Sequence, residues 1–510
     1  MSLQKISFLI FFLFANYFLS FSQNKALSKI DNEDLKRHLN FLSSDSLQGR
    51  KLGTEVSGLD IAADYIKVNA KINGLKPAAN NYFQHVDMIL EKPIENHFVE
   101  VIDNRGTVRL WSEKLVCYGN LTRETELQSE DIILLGFATD DSITTDIEGK
   151  VVVVSQSTPE LFLEKETGWS SRLERPKIEK IVKKNPKAIL FVLNPNIKAR
   201  NSFAMLEHWL NRERYSLKSP TKENPPVLIV MSEVADALLR GNGKYKKYLT
   251  GVAKGKKKEF LSVKKREVNL RFGAITEPVE AKNIIGIIEG SDPGLKDEFI
   301  VFMAHYDHLG VDKDGNVFNG ADDNGSGTVT LLEVAEAFSS MEQKPKRSII
   351  FLWVTCEEIG LLGSKYYVEN PIFPLEKTMA CINIDMDGRV YEPQDSVWNK
   401  SPKKVKDFDG LYTLSNNIWP EIKEINNSNC EKLGLIPDNS LPSNFLRSSD
   451  HFHFHNNGIP IINYATGYHA DYHKIGDEVS KINFDKMKRV ADLCFLVGLE
   501  IANQDKIEFE

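Results

Sequence analysis

Five apolar, β-branched runs fall in the second half of the chain: NIIGIIEG (283–290), EFIVFMAHYDHLG (298–310), SIIFLWVTCEE (348–358), TMACINIDMDG (378–388) and GIPIINYATG (458–467). Each has the length and composition of a strand buried on both faces, the mark of a parallel sheet covered by helices on either side. Between the second and third lies SGTVTLLEVAEAFSSM (326–341), whose Leu331, Leu332, Val334, Ala335 and Phe338 suit a packing helix. This alternation predicts an α/β fold with a mostly parallel central sheet flanked by helices.

The 510 residues, 42% hydrophobic and 26% charged, suffice for a large core and more than one domain. Residues 32–77 read as a helix, a Gly-rich turn and a second helix, with Leu59, Ala62, Ala63, Ile66 and Val68 forming a broad apolar side that ends at Gly74. The texture changes near residue 98. Short strand-like runs follow, DIILLGF (131–137), KVVVVSQ (150–156), KAILFVL (187–193) and PPVLIVM (225–231), with helical stretches between some of them. Residues 98–278 therefore read as a smaller α/β domain inserted into a larger one made of 23–97 and 279–510. At the start, Lys5 precedes an apolar stretch from Ile6 to about Leu19 that ends in the small residues Ser20 and Ser22. Residues 1–22 have the layout of a secretory signal peptide, which predicts a secreted or periplasmic protein with no stable membrane insertion after cleavage. The 64 Lys+Arg against 71 Asp+Glu give a net charge of −7, which argues against a general nucleic-acid binder. The Lys-rich run 243–268 reads as a solvated surface segment. Five cysteines without a CxxC pair indicate neither a disulfide framework nor a Cys-based zinc knuckle.

Ligands of such sheets bind beyond the carboxyl ends of the strands, and those ends are rich in acids and histidines here. FIVFMA leads into His305, Asp307 and His308, SIIFLWVTC into Glu357 and Glu358, and ACINI into Asp385 and Asp387. The loop FNGADDNGSG (318–327) adds Asp322 and Asp323 ahead of the helix, while SDHFHFHNNG (449–458) and GYHADYHKIGDE (467–478) bring further histidines. A single Asp before a helix is ordinarily an N-cap. Acids and histidines at three strand ends plus a Gly-rich loop point together to metal. His with Asp and Glu, without Cys, suits zinc or a similar divalent ion. Carboxylates outnumber imidazoles, which favours two metals sharing a bridging carboxylate; such ions, about 3.5–4 Å apart, activate a water and polarise a carbonyl. Spacing leaves His305 against His308, Asp322 against Asp323, and His469 against His473 open. The last two are four apart and would share a helix face, whereas His451, His453 and His455 would share one face of an extended segment.

The motifs AHYDHLG, NGADDNGSG, CEEIGLLGS, NIDMDG, RSSDHFHF…GIP and YHKIGDE, in this order, resemble those of the co-catalytic zinc exopeptidases. That family includes secreted bacterial leucyl aminopeptidases, vacuolar aminopeptidase Y and glutamate carboxypeptidase II. The upstream LQGRKLGTEVSGLDIAADYI and GLKP…NYFQHV are similar to its lead-in, so the resemblance covers about 30–97 and 280–500. The insertion resembles the protease-associated domain that many members carry.

The resemblance implies two zinc ions per chain. It implies His305 and Asp385 as ligands of one zinc, Glu358 and His473 as ligands of the other, and Asp323 as the bridge. Glu357 would be the general base acting on a metal-bridging water, and Asp307 would hydrogen-bond the ring of His305. Asp450 and His451 would belong to the substrate pocket. RSSDH (447–451) is one residue longer than the family's usual RSDH, which bears on their placement. The implied activity is that of a secreted zinc-dependent aminopeptidase acting on peptide substrates. A carboxypeptidase for acidic C-termini, a one-zinc glutaminyl cyclase and a non-catalytic protein of the transferrin-receptor type are the alternatives on the same fold.

Overall fold

A computed structural model describes residues 23–509 apart from 55, 107, 112–114, 119–122, 140–145, 165–170, 197–198, 219–223, 242 and 391–407. The expected signal peptide lies outside the described residues. Residues up to Asp87 together with Glu280 onward form one compact unit, and Met88–Val279 form a second.

The first unit opens with helices α1 (Asn32–Leu42) and α2 (Gly58–Ile72). Asp31 caps α1, its carboxylate accepting from Glu33 N at 2.8 Å and Asp34 N at 3.0 Å. Then come β1 (Ala274–Ile288), β2 (Phe299–His305), α3 (Gly327–Ser340), β3 (Ser348–Val354), α4 (Leu362–Glu369) and β4 (Thr378–Ile384). The unit closes with β5 (Gly410–Ser415), α5 (Glu421–Lys432), β6 (Ile436–Asp438), α6 (His451–Asn456), β7 (Ile461–Ala465) and α7 (Phe484–Ala502). These strands hydrogen-bond in the order β1-β3-β2-β4-β7-β5-β6. The central four, β3, β2, β4 and β7, run parallel. Antiparallel pairing joins β1 to β3 and β5 to β7. All five apolar runs are strands of this sheet.

Every residue of β2 and β3 is buried, as an unbroken apolar run requires when both faces are covered. Side chains alternate between two cores. Ile300, Phe302, Ala304, Ile349, Phe351 and Trp353 pack against α1, α2, α3 and α7. Val301, Met303, Ile350, Leu352 and Val354 face the other way, toward Tyr367 of α4 and Phe454 of α6. The Trp353 indole donates to Thr328 O at 3.1 Å, fastening β3 to α3. Gly498 lets α7 lie directly on the sheet, since a Cβ there would stand 2.2 Å from Phe302 Cζ.

In the second unit, strands Ile132–Leu134, Val151–Ser155, Ala188–Val192 and Val227–Val230 are parallel neighbours. Leu261–Val263 and Leu115–Tyr118 add antiparallel edges. A separate antiparallel sheet is formed by Val108–Trp111, Phe98–Asp103, Arg266–Phe272 and Thr125–Ser129. The Lys-rich run begins as a helix (Lys244–Ala253) that buries Tyr245, Tyr248 and Leu249 and leaves its lysines exposed. All five cysteines are unpaired. Among the described residues no helix is long and apolar enough to cross a membrane.

Candidate metal centre

The carboxyl ends of β2, β3, β4 and β7 open onto one site. His305 is the last residue of β2 and pairs in register with Val354, the last of β3. The chain then leaves the sheet at Cys356, whose φ of 59° is left-handed, and Glu357 and Glu358 follow. Met386, next to Asp385, and His473 share this conformation, with φ of 64° and 55°. Each costs on the order of 1 kcal/mol or more for a residue other than glycine, and such outliers gather where ligands must be aimed. Thr328 at the start of α3 donates to His305 O at 2.7 Å. A Cβ at Gly327 would stand 2.4 Å from both Asn324 Oδ1 and Ile384 O, so glycine lets α3 and the loop before it close on β4.

That loop carries Asp323 and is held from below. The Asp477 carboxylate accepts from Asp322 N at 3.0 and 3.1 Å and from Asp323 N at 3.0 Å. Asp322 is itself occupied: its Oδ1 accepts from Gly388 N at 2.7 Å and Ser326 Oγ at 3.0 Å, and its Oδ2 lies 3.2 Å from His469 Nε2. Asp322 and His469 thus approach each other in the interior, whereas Asp323 and His473 approach each other beside Glu358.

Asp323 stands between two groups. Its Oδ1 is 3.5 Å from His305 Nε2, which is also 3.5 Å from Asp385 Oδ1. Its Oδ2 is 3.1 Å from His473 Nε2, which is 3.2 Å from Glu358 Oε2. Asp323 Oδ2 and Asp385 Oδ1 are buried yet have no hydrogen-bond partner, so these atoms approach without donor–acceptor alignment. Ligand atoms of His305, Glu357 and Asp385 lie within 4.8 Å of one another, as do those of His308, Asp323 and Glu358. Unpartnered oxygens and imidazole nitrogens converging in this way fit divalent cations with nitrogen and oxygen ligands, zinc foremost.

Two neighbours pack against these groups. Asp307 Oδ1 is 3.7 Å from His305 Nδ1, which also lies 3.3 Å from the Asp307 carbonyl. The carboxylate accepts from the amides of Glu357 (3.0 Å) and Glu358 (3.2 Å), because the turn after β3 leaves both N–H groups free of the sheet. His308 approaches two of the same carboxylates. Its Nδ1 is 2.7 Å from Glu358 Oε1 and 3.8 Å from Asp323 Oδ2.

Asp450 and His451 are fully buried. Ser364 Oγ donates to Asp450 Oδ1 at 2.5 Å, and His451 Nε2 lies 3.1 Å from Phe445 O. Neither reaches solvent. His451, His453 and His455 do not share a face, because α6 is helical, and the segment around His469 and His473 is a series of turns rather than a helix.

The two adjacent glutamates differ electrostatically. Burial pushes the Glu357 carboxyl well above the ordinary range; His305 opposes this, and Asp450, Glu358 and Asp385 reinforce it. Burial acts on Glu358 in the same sense, but hydrogen bonds and charge from His308 and His473 outweigh it and hold that carboxyl low. Burial thus favours the protonated form of Glu357, whereas its histidine partners favour the anion of Glu358.

Residues 283–497 match Peptidase family M28. The chain is 30% identical over 249 residues to aminopeptidase YwaD of Bacillus subtilis (strain 168), covering 47% of this chain and 49% of that protein. It is 28% identical over 225 residues to aminopeptidase Y of Saccharomyces cerevisiae, covering 41% and 36%. Among solved structures, the aminopeptidase from Aneurinibacillus sp. strain AM-1 superposes with a TM-score of 0.52 at 18% identity, over 96% of this chain and 98% of that one, which shows a shared fold. The chain thus spans about half the length of the first curated relative it matches, or 49%. Residues 283–497 are thus the part of this chain that is similar to Peptidase family M28.

Proposed function

We propose that the protein is a secreted or periplasmic zinc-dependent exopeptidase that releases N-terminal residues from peptides, with two zinc ions per chain. The observation that carries this reading is the placement of Asp323, one carboxylate oxygen toward His305 and Asp385 and the other toward His473 and Glu358. In the proposed assignment His305, Asp323 and Asp385 hold one zinc, and Asp323, Glu358 and His473 hold the other. Zinc bound there supplies a polarised substrate carbonyl and a water acidified for attack.

The chain's own residues do the rest. Glu357 takes a proton from the attacking water and passes it to the leaving amine, a cycle suited to a carboxyl whose proton affinity burial has raised. Asp307 fixes the position of Glu357 through its amide. His308 holds Glu358 Oε1 while Oε2 faces His473. The side chain of His473 is 39% exposed, leaving this side of the centre open to substrate. The activity of the named relatives supports an aminopeptidase over a carboxypeptidase. We assign the second unit, Met88–Val279, to the protease-associated type of inserted domain.

A panel of aminoacyl substrates and N-blocked dipeptides, assayed with and without a chelator, tests the proposal. Free N-termini should be required and the chelator should abolish turnover. Equal cleavage of N-blocked substrates, or chelator-resistant activity, would overturn it.

A further inference from the structure

Arg50 lies in the N-terminal segment, outside the residues that match the family, and is completely buried. Its guanidinium makes four hydrogen bonds, all to backbone carbonyls. Nε donates to Tyr306 O at 2.8 Å, Nη1 to Leu42 O at 2.5 Å and to Asn319 O at 2.7 Å, and Nη2 to Gly320 O at 2.9 Å. Its own carbonyl accepts from His308 N at 3.3 Å. Tyr306 stands between His305 and Asp307. Asn319 and Gly320 open the loop that delivers Asp323. One side chain therefore spans the last turn of α1 and two of the backbone segments that carry candidate ligands.

This arrangement is unusual for an arginine that serves stability alone. Buried charges ordinarily pair with a carboxylate, because desolvation is otherwise uncompensated. Among the described residues no carboxylate is hydrogen-bonded to the guanidinium. Burial depresses its pKa to about 10, and the carboxylates of Asp477, Asp307, Asp323 and Glu358 oppose that shift from farther away. The cation thus persists at neutral pH, balanced by the acids of the centre itself. The local backbone is built to insert it. Arg50 has a φ of 47°, and a Cβ on Gly49 would stand 2.5 Å from both Gly310 O and Phe318 O. The Asn319 side chain adds a second tie, donating to Asp45 Oδ1 at 2.7 Å and Glu478 Oε1 at 3.1 Å. A lysine keeps the charge but cannot present the planar fork that reaches all these carbonyls.

We propose that Arg50 is a positioning residue of the metal centre: by clamping the carbonyls of Tyr306, Asn319 and Gly320 it sets where His305 and Asp323 stand, and so sets the affinity for zinc. The inference rests on the two-zinc reading given above.

The test uses the full chain and compares the parent with Arg50→Lys and Asn319→Ala. Zinc content per chain, zinc affinity by competition with a chromophoric chelator, and thermal midpoints with and without zinc are measured. Arg50→Lys should bind zinc on the order of 10–100-fold more weakly, the range seen when groups supporting metal ligands are lost. The rise in midpoint that zinc confers should shrink with it. Asn319→Ala should move in the same direction by less, and supplies the result if Arg50→Lys does not fold. A parent that binds fewer than two zinc ions overturns the two-zinc reading and this inference together. A parent that binds two, with variants that lose equal thermal stability in both states and keep the parent's zinc affinity, overturns the role of Arg50 alone.

Discussion

Asp477 offers a sharp perturbation because its partners are few and buried. Its carboxylate is the acceptor for the amides of Asp322 and Asp323, and it follows His473 by four residues. Asp477→Ala leaves two buried N–H groups without an acceptor. Each such orphan costs about 1–3 kcal/mol, so the substitution should destabilise the catalytic unit by roughly 2–6 kcal/mol. Asp477→Asn should cost less. Its remaining oxygen can occupy the Oδ2 position, 3.1 Å from Asp322 N and 3.0 Å from Asp323 N, leaving only the Oδ1 contact to a donor that cannot accept. The order Ala worse than Asn worse than parent should appear in urea unfolding of zinc-free protein. Zinc affinity should fall in the same order, since the carboxylate places the backbone of Asp323. Parent-like unfolding of Asp477→Ala with parent-like zinc affinity would refute the reasoning.

Two further expectations concern the core. Glu333 on α3 is fully buried, with Oε1 3.7 Å from His38 Nε2, and burial, aided by Asp34, raises its pKa from 4.5 to about 8. A raised folded-state pKa means stability that is complete below about pH 4.5 and lost as pH rises through about 8, on the order of 4–5 kcal/mol from the size of the shift. His38, whose pKa burial lowers from 6.5 to about 4, acts in the opposite sense and only between those two values. Glu333→Gln should therefore flatten the decline in stability between pH 6.5, above which His38 no longer contributes, and about 8; the same slope in parent and variant would contradict it. Gly498→Ala should destabilise despite a gain in helix propensity of about 1 kcal/mol. The new methyl meets a Phe302 ring already fixed by Phe338 and Phe351, and such overpacking costs about 1–3 kcal/mol. Thermal unfolding should show a lower midpoint, partly restored by Phe302→Leu.

Much of this was legible in the sequence because burial on both faces is written as unbroken apolar runs, and all five gave strands. The acids and histidines at their ends likewise read as metal chemistry, since a ligand must be a particular side chain at a particular place. The less legible features are those made with backbone atoms. Arg50 binds four carbonyls and Asp477 two amides, and neither kind of contact leaves a pattern in the residue types it joins. Asp307 follows the same rule where its carboxylate accepts from the amides of Glu357 and Glu358. The alternating histidines of 451–455 suggested an extended face, but the buried pair is His451 and Phe454, three apart, which is helical spacing.

The division of labour between the paired glutamates is the central claim, and Glu357→Gln tests it most directly. Glutamine preserves size and the hydrogen-bonded amide at this position but cannot carry a proton between water and amine. Zinc content and peptide hydrolysis should be measured on the same preparation. The account predicts two zinc ions per chain, as in the parent, with turnover lower by roughly 100- to 10,000-fold. Hydrolysis at the parent rate, or loss of zinc in proportion to loss of activity, would show that Glu357 is not the proton carrier.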